Sequence, residues 1–509
     1  MHRRVLGFQG GQDKRSARIC PKPITERRQR HVFNVLGFLM INNWSLLVKP
    51  THSCNLNCKY CYEKPNRNKY KNITMSYETV DKIARLASEH AKDITWIWHG
   101  GEPTLVGVEW YRRVQDIFYK YYNSNFRQDM QSNGLMLDKE WAKLSRETRI
   151  KIGVSYDGPD ITERVGSQAQ RIENGLECFI EEGIPIGTIT VINSSNVHRM
   201  IYLYDYFKER FNYNKNFNVA FNRIYRSNGS LENNIEASND IYNEYFKEFY
   251  NYWLHDDSSN AMDERTAMQM SAIVMGDQRG LTCAYSDCRY KWIGVNANGD
   301  VYPCDRYVPD IYYMGNIKDA ASIADLYNTA GYRQYVEDID KRFTRVCKEC
   351  GYLSYCRGDC NANHIAVSGT AAGNDAEGCK GFISSFKTVY SVLRDVDFYN
   401  DRLNPHFVAL ALDCVFFPTA EIKDFLKTKG CNTDWTFDIS QDNLLQSKEY
   451  KIFKLFNGLE TSRINSIDIY HKFINQRNTD RKALINIRRL ILEEIFKQKE
   501  SKIRKEINA

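Results

Sequence analysis

An α/β fold is predicted by three features of the sequence. Between residues 43 and 225 strand-like and helix-like segments alternate, the pattern of βα units and a parallel sheet. The first strand runs straight into three closely spaced cysteines. A second group of eight cysteines lies between 283 and 379, and the chain beyond it reads as helix.

The strands are placed at 44–49, 94–98, 127–131, 150–155, 186–192 and 217–224, each a short apolar run bounded by polar or glycine-containing segments. The helices are placed near 76–91, 106–122, 138–147, 168–182 and 197–211. Function in such sheets gathers at the carboxyl ends of the strands. Tyr242, Tyr245, Phe246, Phe249, Tyr250 and Trp253 recur at helical spacing and read as a core stripe. Near the end, Leu484, Ile487, Ile491 and Ile495 read as an amphipathic helix. The resulting division is a basic arm over 1–42, a barrel over 43–230 and a helical linker over 231–282. A cysteine-rich domain over 283–382 and a mainly helical extension over 383–509 follow.

The 509 residues exceed one typical domain, and 42% hydrophobic with 13% aromatic content is enough to build cores. No apolar run approaches eighteen residues, so no membrane span is expected, and a cytoplasmic location is expected. Much of the +7 net charge lies at the two ends; Arg3, Arg4, Lys14, Arg15, Arg18, Lys22, Arg27, Arg28 and Arg30 fall in the first thirty residues. These blocks read first as solvated tails, then as sites for an acidic peptide or protein, and last as nucleic-acid contacts.

The stretch Cys54-Asn55-Leu56-Asn57-Cys58-Lys59-Tyr60-Cys61 puts three thiolates within eight residues. Such a loop wraps three corners of a cubane iron–sulfur cluster and leaves the fourth iron open to a small molecule. The spacing alone also fits zinc. The stretch resembles the signature of the radical S-adenosylmethionine (SAM) enzymes. That resemblance implies a partial (β/α)6 TIM-like barrel and a [4Fe–4S] cluster whose open iron binds SAM. It also implies a 5′-deoxyadenosyl radical that abstracts a hydrogen atom.

Further groups sit at strand ends. His99-Gly100-Gly101-Glu102-Pro103 follows the second strand; the glycines permit close approach, and their amides suit a charged ligand. Asn133 and the pair Ser155 and Asp157 follow the third and fourth strands. The resemblance implies SAM contacts from Tyr60, Gly100, Gly101, Glu102, Asn133, Ser155 and Asp157, with Glu102 either binding the SAM amino group or bracing its loop. The stretches around Asn133 and Asp157 resemble the anaerobic sulfatase-maturating branch. That branch follows its Asp-Gly-Pro with His-Asp, whereas this chain reads Asp160-Ile161-Thr162-Glu163-Arg164.

The later cysteines are Cys283, Cys288, Cys304, Cys347, Cys350, Cys356, Cys360 and Cys379. Eight thiolates satisfy two closed four-iron clusters, and zinc again fits the spacing alone. Their order resembles the SPASM auxiliary-cluster domain. By that resemblance Cys283, Cys288, Cys304 and Cys360 hold one auxiliary cluster, and Cys347, Cys350, Cys356 and Cys379 hold the other. Three [4Fe–4S] clusters are therefore expected. Asn298-Gly299-Asp300 reads as a hairpin turn that presents Val301 to Asp305 as a returning strand. In sulfatase maturases an aspartate in the Pro-Cys-Asp context is the base that takes the substrate proton. This assigns the catalytic role to Asp305, with Tyr307 as a second candidate.

The function expected is oxidative modification or crosslinking of a ribosomally synthesised peptide, assisted by a flavodoxin- or ferredoxin-like electron donor. The basic ends and the missing His-Asp favour it over the alternative, oxidation of Cys or Ser to formylglycine in a sulfatase. A non-catalytic iron–sulfur redox protein is the reading from another class. It leaves the Gly-Gly-Glu-Pro turn after a strand without a purpose.

Overall fold

The computed structural model describes residues 44–122, 126–160, 164, 168–214, 217–227, 233–258, 260–275, 282–306, 309–396, 403–404, 406–407 and 410. The basic arm, Tyr307 and the amphipathic stretch near residue 490 lie outside the described residues.

Six strands pair in chain order, all parallel: β1 (Trp44–Thr51), β2 (Ile94–Gly100), β3 (Phe126–Ser132), β4 (Lys151–Ser155), β5 (Ile186–Ile192) and β6 (Phe217–Arg223). Helices Tyr77–His90, Val108–Phe118, Lys139–Thr148, Ala169–Glu181 and Met200–Phe211 connect them. This is the six-unit α/β barrel expected. Its local causes are legible: Ser76 caps the first connecting helix by accepting from Thr79 N, and Asp138 caps the third by accepting from Glu140 N and Trp141 N. The apolar side of each strand faces buried helices; Trp44, Leu46 and Val48 on β1 are fully buried.

The sheet does not end at β1. A hairpin, β7 (Trp292–Val295) and β8 (Val301–Tyr302), continues it, so the strand order is β6-β5-β4-β3-β2-β1-β7-β8. β7 lies parallel to β1, with Ser45 opposite Trp292 and Val48 opposite Val295, and β8 returns antiparallel. The turn between them is the Asn298-Gly299-Asp300 turn read from the sequence, with Gly299 at φ +98°, a conformation glycine adopts without strain. The cysteine-rich segment is thus stitched by backbone hydrogen bonds onto the first barrel strand. Just past β8, Asp305 contacts Lys49 on β1 and Tyr62 after the cysteine loop.

The linker forms helices Asn239–Leu254 and Arg265–Val274, and the aromatic stripe is core: Tyr242, Phe246, Phe249, Tyr250 and Trp253 are buried, while Tyr245 is half-buried. Helix Ala376–Asp395 packs against Asn239–Leu254. The boundary expected at 382/383 falls inside this helix. The cysteine pattern stops at Cys379, but helical hydrogen bonding and packing carry the element to Asp395. Farther on, Asn404 donates to Trp253 O at 3.1 Å and its own N–H to Leu254 O at 2.8 Å, seating that segment on the linker. Among the described residues no helix is long and apolar enough to cross a membrane.

Behind the cysteine loop, Trp98 is fully buried among Trp96, Trp110, Tyr111 and Phe118, with ring centroids 5.1–6.1 Å apart. Trp98→Ala is expected to cost about 3–5 kcal/mol of stability. Urea unfolding followed by circular dichroism checks this, and an unchanged midpoint would show that the aromatic layer does not support the barrel.

Candidate active site

The three thiols of the first loop come together at the end of β1. Cys58 is buried, while Cys54 and Cys61 are half-buried and Cys61 N donates to Cys58 O at 3.3 Å. Burial pushes the Cys58 thiol up to about 11 and raises that of Cys54, and in each case the neighbouring thiols of the triad raise it further. Such a set is costly to ionise unaided and suits a cationic group that takes up the thiolates.

The turn after β2 is pressed against this loop. A Cβ on Gly101 would lie 2.2 Å from Ser53 O and 2.4 Å from His52 O, and one on Gly100 would lie 2.5 Å from Thr51 O. The glycine amides are not free for a ligand, as the sequence reading had them: Gly101 N donates to Thr51 O at 3.1 Å and Gly100 N to its neighbour His99 Nδ1 at 2.9 Å. The close approach itself consumes them. Glu102 is buried and spans the turn to β3. Its Oε1 accepts from Thr104 N and Ser132 Oγ, both at 2.9 Å, and its Oε2 from Asn133 N at 2.6 Å. Asn133 in turn donates to Asn55 Oδ1 at 2.7 Å within the cysteine loop.

Below the loop, Asp157 accepts from Val191 N at 2.8 Å and from the Tyr60 hydroxyl. Arg164 donates to Tyr60 Oη at 2.9 Å and lies 3.4 Å from Asp157 Oδ2, fixing both. Ser155 accepts from Gln131 Nε2 at 2.8 Å. Glu102 and Asn133 thus form one network with Asn55 of the cysteine loop, Tyr60 and Asp157 form another with Arg164, and Ser155 pairs separately with Gln131.

Asp305 reaches the same pocket from the hairpin side. Its Oδ2 accepts from Tyr62 Oη at 3.1 Å and lies 3.9 Å from His99 Nδ1. Its backbone carbonyl accepts from Lys49 Nζ, which also pairs with Glu63 Oε1 at 2.6 Å. Burial works to raise the Asp305 carboxyl, but His99, Lys49 and Arg306 outweigh it and hold the group below its ordinary value. It is thus a carboxylate at neutral pH, the form a proton acceptor needs. Burial likewise opposes ionisation of Glu63, yet Lys49 and then His52 hold it down to about 2. Lys49, Tyr62, Glu63, His99 and Arg306 were not singled out in the sequence. Lys49 and Glu63 carry a usable signal, since charges flanking a cysteine loop on a strand buried on both faces need partners.

The eight later thiols separate into two neighbourhoods. Cys283, Cys288, Cys304 and Cys360 lie together: burial first raises Cys283 to about 12, Cys288 to about 11 and Cys304 well above its ordinary value, with Asp305 raising Cys304 further and Cys360 adding to all three. Cys347, Cys350, Cys356 and Cys379 line a cavity of roughly 240 Å³ together with Leu353 and Phe382. Among the described residues no three His, Cys, Asp or Glu side chains converge closely enough to hold a single metal ion. Four thiols around a cavity whose walls are largely apolar, with Asp359 the one other acidic side chain on the lining, fit a multi-iron group.

Residues 48–207 match the radical SAM superfamily, and residues 283–351 match the SPASM iron–sulfur cluster-binding domain. This is a radical SAM enzyme. The first match contains the triad and the Gly-Gly-Glu-Pro turn, the second Cys283, Cys288, Cys304, Cys347 and Cys350. The cofactors of these domains are SAM and iron–sulfur clusters. A cysteine-type anaerobic sulfatase-maturating enzyme of Clostridium perfringens is 26% identical over 336 residues, 62% of this radical SAM enzyme and 88% of the relative. A serine-type anaerobic sulfatase-maturating enzyme of Bacteroides thetaiotaomicron is 26% identical over 373 residues, 68% of this chain and 89% of its own. The solved structure of anSMEcpe with bound AdoMet superposes with a TM-score of 0.58 at 24% identity, covering 69% of this chain and 98% of that one, and shows the shared fold.

Because Gly101 has no room for a Cβ, Gly101→Ala is expected to displace the cysteine loop. The variant should lose one cluster's share of iron and sulfide, with the thiols of the hairpin domain still loaded. Iron and sulfide assays with Mössbauer spectra check this; full iron content would mean the loop tolerates the shift.

Proposed function

We propose that this enzyme is a maturase that oxidises a side chain of a peptide or protein, with Asp305 as the base. The observation that carries the reading is an ionised, nearly buried Asp305 that contacts Tyr62, the residue after the cysteine triad, and His99, the residue before the Gly-Gly-Glu-Pro turn, with its backbone held by Lys49. The triad Cys54, Cys58 and Cys61 holds the SAM-binding cluster, and the two later groups of four thiols hold two auxiliary clusters, three in all. When bound, SAM on its cluster supplies the means to remove a hydrogen atom from an unactivated carbon. Tyr60, Glu102, Asn133 and Asp157 shape the walls that receive SAM, and the Gly100-Gly101 turn keeps the loop closed against β2. Lys49 fixes the Asp305 backbone and Tyr62 orients the carboxylate, whose Oδ2 takes the proton that leaves the substrate once hydrogen has been abstracted.

Relatives named sulfatase-maturating enzymes align over 86–96% of their own length. This moves the preference from peptide crosslinking, favoured by the sequence, to oxidation of a Cys or Ser side chain to the aldehyde. A structure of anSMEcpe with bound AdoMet and the Cp18Cys peptide supports a peptide-sized substrate by analogy of fold. A small flavodoxin or ferredoxin is the proposed electron donor. A reducing, cytoplasmic compartment suits eleven cluster thiols.

Two substitutions test the assignment. Cys58→Ala should abolish formation of 5′-deoxyadenosine from SAM and dithionite while the auxiliary clusters remain. Asp305→Asn should cleave SAM but form product about 10²–10⁴-fold more slowly. The assay is anaerobic mass spectrometry with Cys- and Ser-containing sulfatase peptides, in which oxidation lowers the mass of the modified residue. Product formed by Asp305→Asn at the parent rate would remove Asp305 from the role. No oxidised peptide from the parent enzyme, with deoxyadenosine still formed, would turn the search to other substrates.

A further inference from the structure

Arg306 follows Asp305 directly, and besides helping to keep that carboxyl ionised it makes contacts of its own. The side chain is enclosed. Its Nη1 donates to Cys360 Sγ at 3.2 Å and to Asn363 Oδ1 at 3.1 Å. Its guanidinium carbon lies 3.4 Å from the centroid of the Tyr225 ring and 5.8 Å from that of Tyr62. Tyr225 is at the exit of β6 and Tyr62 in the cysteine loop, so one cation is gripped from both ends of the barrel sheet. A guanidinium stacked on one aromatic face and forked onto two acceptors has little freedom to swing away.

The position is unusual for a charge. Cys360 belongs with Cys283, Cys288 and Cys304, and the charges of Cys304 and of the adjacent Asp305 also act on Arg306. The guanidinium thus stands close to both a set of four thiols and the Asp305 carboxylate, and touches a thiol with a charged donor. A purely structural arginine would be satisfied by Asn363 and the Tyr225 ring alone.

We infer that Arg306 is the residue that tunes the auxiliary group held by Cys283, Cys288, Cys304 and Cys360, raising its reduction potential through the charged hydrogen bond to Cys360. The physical reason is simple. A reduced cluster carries one more negative charge than the oxidised one, and hydrogen bonds to its sulfurs together with nearby positive charge favour the reduced form. Arg306 is a positioning and tuning residue rather than a catalytic one, because it acts through Cys360. It makes this group a readier one-electron acceptor beside Asp305, without contact with substrate. The inference rests on the proposal that these four thiols hold a cluster.

The test is EPR-monitored potentiometry on the full-length enzyme, reconstituted anaerobically, with iron and sulfide counted in every sample. Arg306→Gln retains N–H donors, now those of a neutral amide, and removes the charge. It is expected to shift the equilibrium between oxidised and reduced forms of one auxiliary signal at least tenfold toward oxidised, a fall of 59 mV for one electron. The second auxiliary signal, from the Cys347 group, should stay put and serves as the internal reference. Arg306→Lys, which keeps the charge, should fall less than Arg306→Gln. An unchanged midpoint in Arg306→Gln at full iron content would overturn the inference while leaving the cluster assignment intact. Absence of two auxiliary signals in the parent enzyme would instead overturn the cluster assignment. Should Arg306→Gln lose iron, Tyr225→Leu decides the matter by freeing the guanidinium from its stacking partner: a lower midpoint supports the tuning role, and an unmoved one overturns it.

Discussion

Lys49 is the charge on which the pocket depends. It sits at the end of β1, almost completely buried, and its ammonium bridges the Glu63 carboxylate and the backbone carbonyl of Asp305. Those two partners come from opposite halves of the protein: Glu63 lies two residues past the last cysteine of the triad, and Asp305 one past a cysteine of the hairpin domain. A buried ion pair of this kind adds little net stability, but losing one member strands the other at a cost of about 3–5 kcal/mol. Its value here is registration. The backbone of Asp305 and the segment that follows the cysteine triad share one cation.

The backbone makes that registration possible. Parallel pairing of β7 with β1 places the hairpin on the edge of the barrel sheet, in a register fixed by Ser45 opposite Trp292. Gly294 carries no side chain where a Cβ would lie 2.5 Å from Cys304 O, so the returning chain can fold back closely over β7. The hydrogen-bonded ladder, the missing Cβ and the Lys49 bridge act along the same short stretch. Together they set the separation between the two cysteine-bearing halves within the precision that hydrogen bonds impose.

Around this frame the charges alternate. Thiols and carboxylates crowd the interior, and cations stand beside them: Arg164 at Tyr60 and Asp157, Lys49 at Glu63, and Arg306 at Cys360 with Asp305 nearby. Buried cations without such partners would be costly, and so would the anions without the cations. The pattern explains why Asp305 remains ionised despite its burial, and why the Gly100 and Gly101 amides could be given up to protein contacts.

Much of this was legible in the chain itself. Six strand–helix units, the hairpin turn at Gly299 and the core role of the aromatic stripe at 242–253 follow from local periodicity and turn chemistry, which act over a few residues. The cysteines announce themselves because thiolates with metal spacing have few other uses. Lys49, Tyr62, His99 and Arg306 stayed hidden, since each is ordinary in its own segment and gains meaning only from a partner between 37 and 256 residues away. The same holds for the end of helix Ala376–Asp395, which packing against the linker prolongs past the last cysteine. What the sequence determined alone is therefore the repeat of elements and the inventory of ligands, both properties of neighbouring residues. Which edge the hairpin joins, which thiols share a cavity and which cation faces which anion were decided by tertiary structure, because burial and Coulomb interactions depend on distance in space rather than along the chain.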